Sequence, residues 1–384
     1  FFSLHSPMAQ LNPEQLLCER KWKTHSLIED CFPQFTNANK KFVLKQAKIF
    51  TIESLCNCYG VDEEIHFTRW KKFQVPATIE SINRCEFKYV EGIFTYPNYN
   101  PQEELHWHLN FANRDLFVAY GGPLYAQDEM QVLEHPILGS LRETIQDATR
   151  KKKRILFDAI RSGGCPEKII EEKSRGDPDF DEHYSTRTVD NNEPTPILIQ
   201  GADRKLVVAV DKHKAKGRPY GLYGNQFARA QEQSLLNALT VFPDDILCEE
   251  RQRTNILAME APTGGYGRYN VITVNKILET AFSGFRACVV QTARTKSGDI
   301  RCVIHTGHWG TGAYGGNRVL MALLQIIAAE LAGVHCLMFY TFDKNGTNDY
   351  KQALEIWNKM NFSTTSSAVD HIVQMGFAWG VSDD

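Results

Sequence analysis

The chain has 384 residues, a formal net charge of −3, and 42% hydrophobic, 11% aromatic and 23% charged residues. These values favour a large folded core and exclude extensive disorder. The charge balance also argues against a protein that holds nucleic acid through its phosphates.

The cysteine pattern predicts a reducing compartment. Ten cysteines are scattered along the chain without a Cys-x-x-Cys pair, so we expect neither a structural metal nor a disulfide framework. No stretch approaches the roughly 20 apolar residues of a membrane span. We therefore expect a cytoplasmic or nuclear protein with no nucleic-acid or membrane partner.

Residues 1–65 are predicted to form a helical accessory region. Asn12-Pro13-Glu14-Gln15 supplies a cap, a proline at the first helical position and a glutamine three residues after the cap. A first helix should follow, with Leu16, Leu17 and Trp22 facing inward. A second helix is predicted from about 38 to 58, where apolar residues recur at helical spacing.

Residues 66–384 are predicted to form an α/β domain. Its first part should contain strands at 87–94 and 105–111 and a short helix at 127–134, ended by Pro136. The charged segment 139–192 is interpreted as an insertion of helix and loop. The remainder alternates strands and helices, with strands expected at 197–199, 206–210, 255–259 and 287–292, and a helix at 271–283.

The clearest unit comes last in the chain. Residues 302–304 and 334–342 read as strands, and 319–331 reads as an apolar helix between them. The loop Thr306–Gly316 precedes that helix and is rich in glycine. Glycines allow backbone N–H groups to approach an anion, and a helix N-terminus adds positive potential, so we interpret the loop as a diphosphate cradle. A tight turn that packs the helix on the sheet is the alternative.

A pair of carboxylates carries the candidate chemistry. In Gln127-Asp128-Glu129, the side chain of Glu129 shares a helical face with Val132 and Leu133, so it points toward the apolar side. Burial there can raise the pKa of a carboxyl group and let it protonate a leaving group. Two solvated carboxylates are the alternative. The nearby Tyr120-Gly121-Gly122-Pro123 is a second loop that allows close backbone approach.

Two further segments have more than one interpretation. The alternation of glycine and tyrosine in 217–224 is typical of a mobile aromatic flap, but also of an ordinary surface loop. The basic run Arg150–Arg154 is most simply the solvated face of a helix, with a docking patch as the alternative.

These motifs resemble the poly(ADP-ribose) glycohydrolase family of macrodomain-type enzymes. The most specific piece is Thr306–Gly316, which is similar to the family's Thr-Gly-x-Trp-Gly-x-Gly-Ala-aromatic-Gly-Gly loop. Gln127-Asp128-Glu129 is similar to its Gln-Glu-Glu signature. The resemblance implies a three-layer α/β/α macrodomain-like fold with a mixed sheet, and ADP-ribose as ligand. The segment 139–192 and the first 60 residues lie outside it.

By position, the resemblance implies a role for individual residues. Glu129 matches the catalytic acid and Asp128 its neighbour. The other implied ligand contacts are Phe94, Asn110, Asn113, Gly121, Gly122, Gln127, Tyr223, Gly310, Thr311, Gly312, Ala313, Tyr314, Gly315 and Phe342. The chain departs from the family pattern where Tyr120-Gly121-Gly122 replaces three glycines and only four residues separate this loop from Gln127.

The resulting hypothesis is an ADP-ribosylhydrolase that needs no cofactor or metal. Its partners would be ADP-ribose and an ADP-ribosylated protein, and the departures favour single ADP-ribose units as substrate. They also suggest a specialised branch such as a bacterial effector, for which a host cytosol is the alternative location. A poly(ADP-ribose) glycohydrolase, a non-catalytic ADP-ribose reader and an interaction protein regulated by ADP-ribose remain open.

Overall fold

The computed structural model describes residues 13–79, 85–174, 177–242, 253–262, 264–295 and 300–381. The strands in these ranges are β1 (Leu16–Lys23), β2 (Glu64–Trp70), β3 (Glu86–Val90), β4 (Glu104–Ala112), β5 (Val189–Asp190), β6 (Glu193–Pro194), β7 (Ile197–Ala202), β8 (Leu206–Val208), β9 (Leu239–Val241), β10 (Thr254–Glu260), β11 (Arg301–Gly307) and β12 (Cys336–Tyr340). The α-helices are α1 (Thr24–Asp30), α2 (Ala38–Gln46), α3 (Ile52–Cys56), α4 (Gln127–Glu134), α5 (Ile137–Arg161), α6 (Pro166–Ser174), α7 (Glu232–Leu236), α8 (Val271–Thr295), α9 (Arg318–Ala332), α10 (Lys344–Lys359) and α11 (Thr365–Gln374).

Eight strands form one mixed sheet in the order β1-β2-β7-β10-β4-β11-β12-β3. The five strands from β10 to β3 are mutually parallel, whereas β1, β2 and β7 pair antiparallel with their neighbours. Parallel strands need crossover connections, and helices supply them here. Thus β11, α9 and β12 form the predicted crossover at the end of the chain.

The sheet separates two hydrophobic cores. Along β10, Ile256 and Ala258 face one core and Leu257 and Met259 face the other, as strand geometry requires. Helices α1 to α5 and α7 contribute to the first core, and α8 to α11 contribute to the second. The molecule is therefore a three-layer α/β/α structure with a mixed sheet, and the predicted fold class is confirmed.

The first predicted helix is wrong, because Leu16–Lys23 forms β1. It pairs antiparallel with β2, with Trp22 opposite Ile65, and the Trp22 ring packs 6.3 Å from that of Phe67. Pairing with β2 along the strand outweighs the local helix signals. The proposed cap, Asn12, lies outside the described residues. A domain boundary between residues 65 and 66 would cut β2.

Two other predicted elements also differ. The helix predicted at 38–58 is two helices, α2 and α3, separated by a turn in which Lys48 has a φ of +60°. The strand predicted at 287–292 is instead the C-terminal part of α8, where Cys288 and Val290 are buried. A short apolar run does not distinguish a buried strand from a buried helix.

The segment 139–192 continues α5 and includes α6, and most of the basic run Arg150–Arg154 is exposed on α5. None of the described helices is both long and apolar enough to cross a membrane. The carboxyl ends of β4, β11 and β12 lie side by side at one edge of the sheet. Ligands of open α/β sheets bind at such edges, so this edge is where a site is expected.

Candidate functional site

A cavity of about 370 Å³ opens at this edge of the sheet. It brings together most of the residues predicted from the sequence. The predicted residues that line it are Phe94, Asn113, Gln127, Asp128, Glu129, Tyr223, Gly310, Thr311, Gly312, Ala313, Tyr314 and Phe342. Asn110, Gly121, Gly122 and Gly315 are not among the lining residues.

The glycine-rich loop between β11 and α9 forms one wall. Gly310 has a φ of +74°, and a Cβ atom there would lie 2.5 Å from the Cβ atom of Ala261, so both conformation and space require glycine. The Trp309 indole donates to the Met259 carbonyl oxygen at 3.1 Å, which holds the loop on the end of β10. The loop ends at Asn317, whose side chain accepts from the Leu320 N–H and caps α9.

This wall is suited to an anion. Among the described residues, the backbone N–H groups of Gly312, Ala313 and Tyr314 donate to no other group, and all three residues line the cavity. Arg318, the first residue of α9, lines it as well. Unused N–H groups, a helix N-terminus and a guanidinium together are the donors that bind phosphate groups.

The carboxylate pair lies on the first turn of α4 and lines the same cavity. The Ala126 N–H donates to Glu129 Oε2 at 3.1 Å, which fixes the orientation of this carboxylate. Asp128 Oδ1 accepts from the Asn110 side-chain amide at 2.9 Å. Only 3% of Glu129 and 8% of Asp128 is exposed, so both carboxylates are largely withdrawn from water.

Gln127 and Asn110 hold this helix on β4. The Gln127 amide donates to the Leu109 carbonyl oxygen at 2.9 Å and accepts from the Phe111 N–H at 2.7 Å. Asn110 also donates to Gln131 Oε1 at 3.0 Å. Asn110 was predicted as a ligand contact, but the structure places it behind the pair because its strand position faces α4. Its amide orients Asp128 from there.

The pKa of Asp128 is strongly shifted. Burial and the neighbouring Glu129 carboxylate raise it to about 7, against the lowering effects of Asn110, Arg142 and Lys40. The negative charge of the neighbouring Glu129 makes ionisation of the buried Asp128 carboxyl group costly. The sequence predicts that Glu129 holds the proton, whereas the raised pKa lets Asp128 retain one near neutral pH.

Aromatic residues line the side of the cavity formed by β3, β4 and β12. The Phe94 ring lies 5.1 Å from Tyr340 and 6.3 Å from Phe111. Across the mouth, the rings of Tyr223 and Phe342 are 5.4 Å apart. Gly224 exchanges two backbone hydrogen bonds with Tyr125, at 2.8 and 3.3 Å, so the flap is connected to the segment before α4. These rings can enclose a flat base.

Gly121 has a packing role, and neither Gly121 nor Gly122 lines the cavity. The Gly121 carbonyl oxygen accepts from the N–H groups of Thr36 and Asn37, each at 2.9 Å. A Cβ atom at Gly121 would collide with the Gln34 carbonyl oxygen. This glycine is therefore needed for close approach to the segment before α2. Gly315, with a φ of +62°, shapes the turn behind the lining residues.

Several lining residues were not identified from the sequence, including Tyr96, Phe111, Arg318 and Tyr340. Tyr340 lies two residues before Phe342, and Arg318 directly follows the glycine loop, so spacing alone could have indicated both. Tyr96 reaches the cavity through a turn in which its own φ is +49°, and the sequence has no simple signal for such a turn.

A third carboxylate, Glu260, lies behind Tyr314. Burial raises its pKa, while Arg114, 3.7 Å away, and a hydrogen bond with Tyr314 lower it. Its position at the end of β10, beside the end of β4, gives it access to the same edge of the sheet. It can fix the orientation of the Tyr314 ring.

We expect Asp128→Asn to stabilise the protein at alkaline pH. A folded-state pKa of about 7, against an ordinary value of 3.8, means that folding opposes ionisation of this group. The penalty is absent below about pH 4, grows as pH rises through about 7, and is then constant. One pKa unit corresponds to about 1.4 kcal/mol. The free energy of unfolding of the variant, measured in urea at pH 8, should therefore exceed that of the wild type by up to ~4 kcal/mol.

The asparagine oxygen can still accept the hydrogen bond from Asn110, so little else should change. Asp158→Asn, on the exposed face of α5, is the matched control and should change the unfolding free energy little at any pH. A gain for Asp128→Asn that is the same at pH 4 and pH 8 would contradict the raised pKa.

Comparison with known proteins connects this site to one family. Residues 223–349 match the family model described as poly(ADP-ribose) glycohydrolase, macro domain fold. This range contains the flap tyrosine, the glycine loop and Phe342. The curated protein "Probable poly(ADP-ribose) glycohydrolase 2" of Arabidopsis thaliana is 26% identical over 168 residues, which are 36% of this chain and 31% of the relative. The chain thus matches about a third of that relative's length.

Among solved structures, poly(ADP-ribose) glycohydrolase from Thermomonospora curvata is 13% identical, with 87% of this chain and 85% of that chain covered and a TM-score of 0.34. The Deinococcus radiodurans poly(ADP-ribose) glycohydrolase in complex with ADP-ribose is 12% identical, with coverages of 92% and 100% and a TM-score of 0.35. Over the glycine loop and the flap tyrosine, the chain is therefore similar to the poly(ADP-ribose) glycohydrolase family of macro domain fold.

Proposed function

We propose that this protein is an ADP-ribosyl glycohydrolase, which hydrolyses the bond between the terminal ribose of ADP-ribose and an acceptor. One observation carries the proposal: an anion-binding wall, a set of aromatic rings and a buried carboxylate pair line the same cavity. ADP-ribose contains the matching groups, namely a diphosphate, a flat base and a ribose with a reactive carbon. The family match supports the same activity.

In the proposed complex, the diphosphate lies against the N–H groups of Gly312, Ala313 and Tyr314. The adenine lies among the rings of Phe94, Tyr340 and Phe342. The terminal ribose then reaches Asp128 and Glu129 on the first turn of α4. Tyr223 covers the mouth from the flap.

The chemistry needs one proton donor and one water molecule. As the bond between C1″ and the acceptor oxygen or nitrogen breaks, the ribose becomes oxocarbenium-like and the leaving atom gains negative charge. Glu129 donates a proton to that atom and then accepts one from the water that attacks C1″. Asp128 accepts hydrogen bonds from the ribose hydroxyls, and its raised pKa keeps a proton on the pair near neutral pH.

Release of ADP-ribose tests this function. The protein is incubated with poly- and mono-ADP-ribosylated proteins, and free ADP-ribose is measured by chromatography. Release from either substrate supports a hydrolase. Binding of ADP-ribose by calorimetry without release from any substrate would instead indicate a reader module. Neither binding nor release would leave an interaction protein as the remaining explanation.

We further propose that single ADP-ribose units on a protein are the better substrate. The segment between Gly122 and Gln127, which has four residues, is short and packed inward: Tyr125 is buried with its ring 4.2 Å from Phe227. This segment borders the catalytic side of the cavity, where the acceptor must lie. Exposed Val118 lines the same side. Because this segment is short, the catalytic side of the cavity has room for a folded acceptor protein.

We therefore expect a faster initial rate on an arginine-linked mono-ADP-ribosyl protein than on auto-modified polymer at equal ADP-ribose concentration. A polymer uses the leaving-group side for another ADP-ribose unit, whereas a protein acceptor can use the surface of α5 and α6, which follow the carboxylate helix directly. The initial rates of ADP-ribose release from the two substrates show which one is preferred. Faster release from the polymer would show that the short segment does not select against it.

A further inference from the structure

Lys40 is a buried cation close to the carboxylate pair. It lies on α2 with none of its surface exposed. Its Nζ atom donates to the carbonyl oxygens of Tyr120 and Leu124, each at 2.7 Å. A buried charge is costly unless it has strong hydrogen-bond partners, and these two carbonyl groups provide them.

The two carbonyl groups are the ends of the loop that precedes the carboxylate helix. After Leu124 the chain passes Tyr125, which is bonded to the flap at Gly224, and reaches Ala126, whose N–H orients Glu129. A shift of the Tyr120–Leu124 loop would therefore move the first turn of α4. Lys40 sets the distance between the two ends of this loop.

The charge of Lys40 also acts on the pair. Burial lowers the pKa of its ammonium group to about 8, while Glu129 and Asp128 raise it. The other cation that acts on Asp128 is Arg142 of α5, whose side chain bonds to Asp115. Among the described residues, the groups that act on Asp128 include Lys40 and Arg142, the Asn110 amide and the Tyr314 phenol. Without Lys40, the ionised Asp128 carboxylate loses a nearby balancing charge.

We propose that Lys40 is a positioning residue for the carboxylate pair, because its ammonium ion joins both ends of the Tyr120–Leu124 loop and so fixes the first turn of α4. The proposal rests on the proposed hydrolase function. It gives the N-terminal part of the chain a direct part in the site. The segment between Gly122 and Gln127 has only four residues. The link through Lys40 explains how this short segment can still fix the orientation of the Glu129 carboxylate.

The test compares Lys40→Met with three other variants. Lys40→Gln keeps an N–H donor but not the charge, and it replaces Lys40→Met as the test variant if Lys40→Met does not fold. Lys41→Met makes the same change one residue away on α2. Thr51→Ala removes the N-cap of α3 and lowers the melting temperature without touching the loop. For each variant we would measure the melting temperature, ADP-ribose affinity, kcat, KM and the pH dependence of kcat.

We expect Lys40→Met to lower kcat by ~10²-fold, since a misplacement of about 1 Å can cost this much, with ADP-ribose affinity within about tenfold of the wild type. The alkaline limb of its kcat–pH profile should move to higher pH, because loss of the Lys40 cation raises the pKa of Asp128. Lys40→Gln should move the limb in the same direction with a smaller loss of kcat. Lys41→Met and Thr51→Ala should keep the wild-type kcat and the wild-type pH dependence of kcat.

Three results would overturn the proposal: an unchanged kcat and alkaline limb in both Lys40 variants, an equal loss of kcat in Thr51→Ala, or a loss of ADP-ribose affinity as large as the loss of kcat. Absence of ADP-ribose release by the wild type itself would be a different outcome, since it would reject the hydrolase function. The two failures are therefore distinguishable.

Discussion

Glu129→Gln is expected to lower kcat by ~10²–10⁴-fold, the usual contribution of general acid–base catalysis, while ADP-ribose binds within about tenfold of the wild-type affinity. The amide has the same shape and can still accept the hydrogen bond from the Ala126 N–H, so the fold of the first turn of α4 should persist. It cannot donate a proton to the leaving atom as a carboxylic acid does. Single-turnover release of ADP-ribose gives the rate, and calorimetry gives the affinity.

The matched control is Glu355→Gln, which makes the same change on the exposed face of α10 and should leave turnover unchanged. Asp128→Asn provides the second comparison. If Glu129→Gln retains near-normal turnover and Asp128→Asn does not, the acid role belongs to Asp128, whose raised pKa makes it able to hold the proton. Normal turnover in both variants would reject the carboxylate mechanism.

Gly312→Val should weaken ADP-ribose binding by more than about 100-fold. Gly312 lines the cavity, and a branched side chain there would keep the diphosphate from the neighbouring backbone N–H groups. Loss of two hydrogen bonds to a charged group, at about 1.5–3 kcal/mol each, gives an effect of this size. The rise in melting temperature caused by ADP-ribose should disappear with the affinity.

Thr311→Val is the control for this change. It places a valine in the same loop and removes a hydroxyl group that bonds to the His308 carbonyl oxygen at 2.9 Å, yet it leaves the approach to the backbone open. We expect affinity within about tenfold of the wild type. Wild-type affinity in Gly312→Val would instead place the ligand elsewhere in the cavity.

The best sequence predictions depended on local signals. Helix α4 begins and ends at the predicted residues, because Pro136 and the apolar spacing are encoded within one short segment. The glycine loop and its crossover were likewise recognisable from adjacent residues. The carboxylates and the loop therefore appeared as separate candidates, and the structure brings them together in the lining of one cavity.

The predictions that failed depended on distant partners. Strand β1 exists because β2 pairs with it, and Asn110 is absent from the cavity lining because α4 packs on that face of β4. Nothing near Lys40 in the sequence indicates that its partners are the carbonyl groups of residues 120 and 124. Such pairings follow from sheet order and burial, which a local pattern does not contain.

The sheet order has a consequence for synthesis of the chain. The central strand β4 pairs with β11, Glu104 opposite Arg301, and β3 pairs with β12, Glu86 opposite Cys336. The carboxylate helix therefore leaves the ribosome long before the strands that complete its cavity. At about 5–20 residues per second, the two edges of β4, which pair with β10 and β11, stay without partners for many seconds. The nascent chain must be shielded during that time, and no ligand can help it fold until Phe342 has emerged.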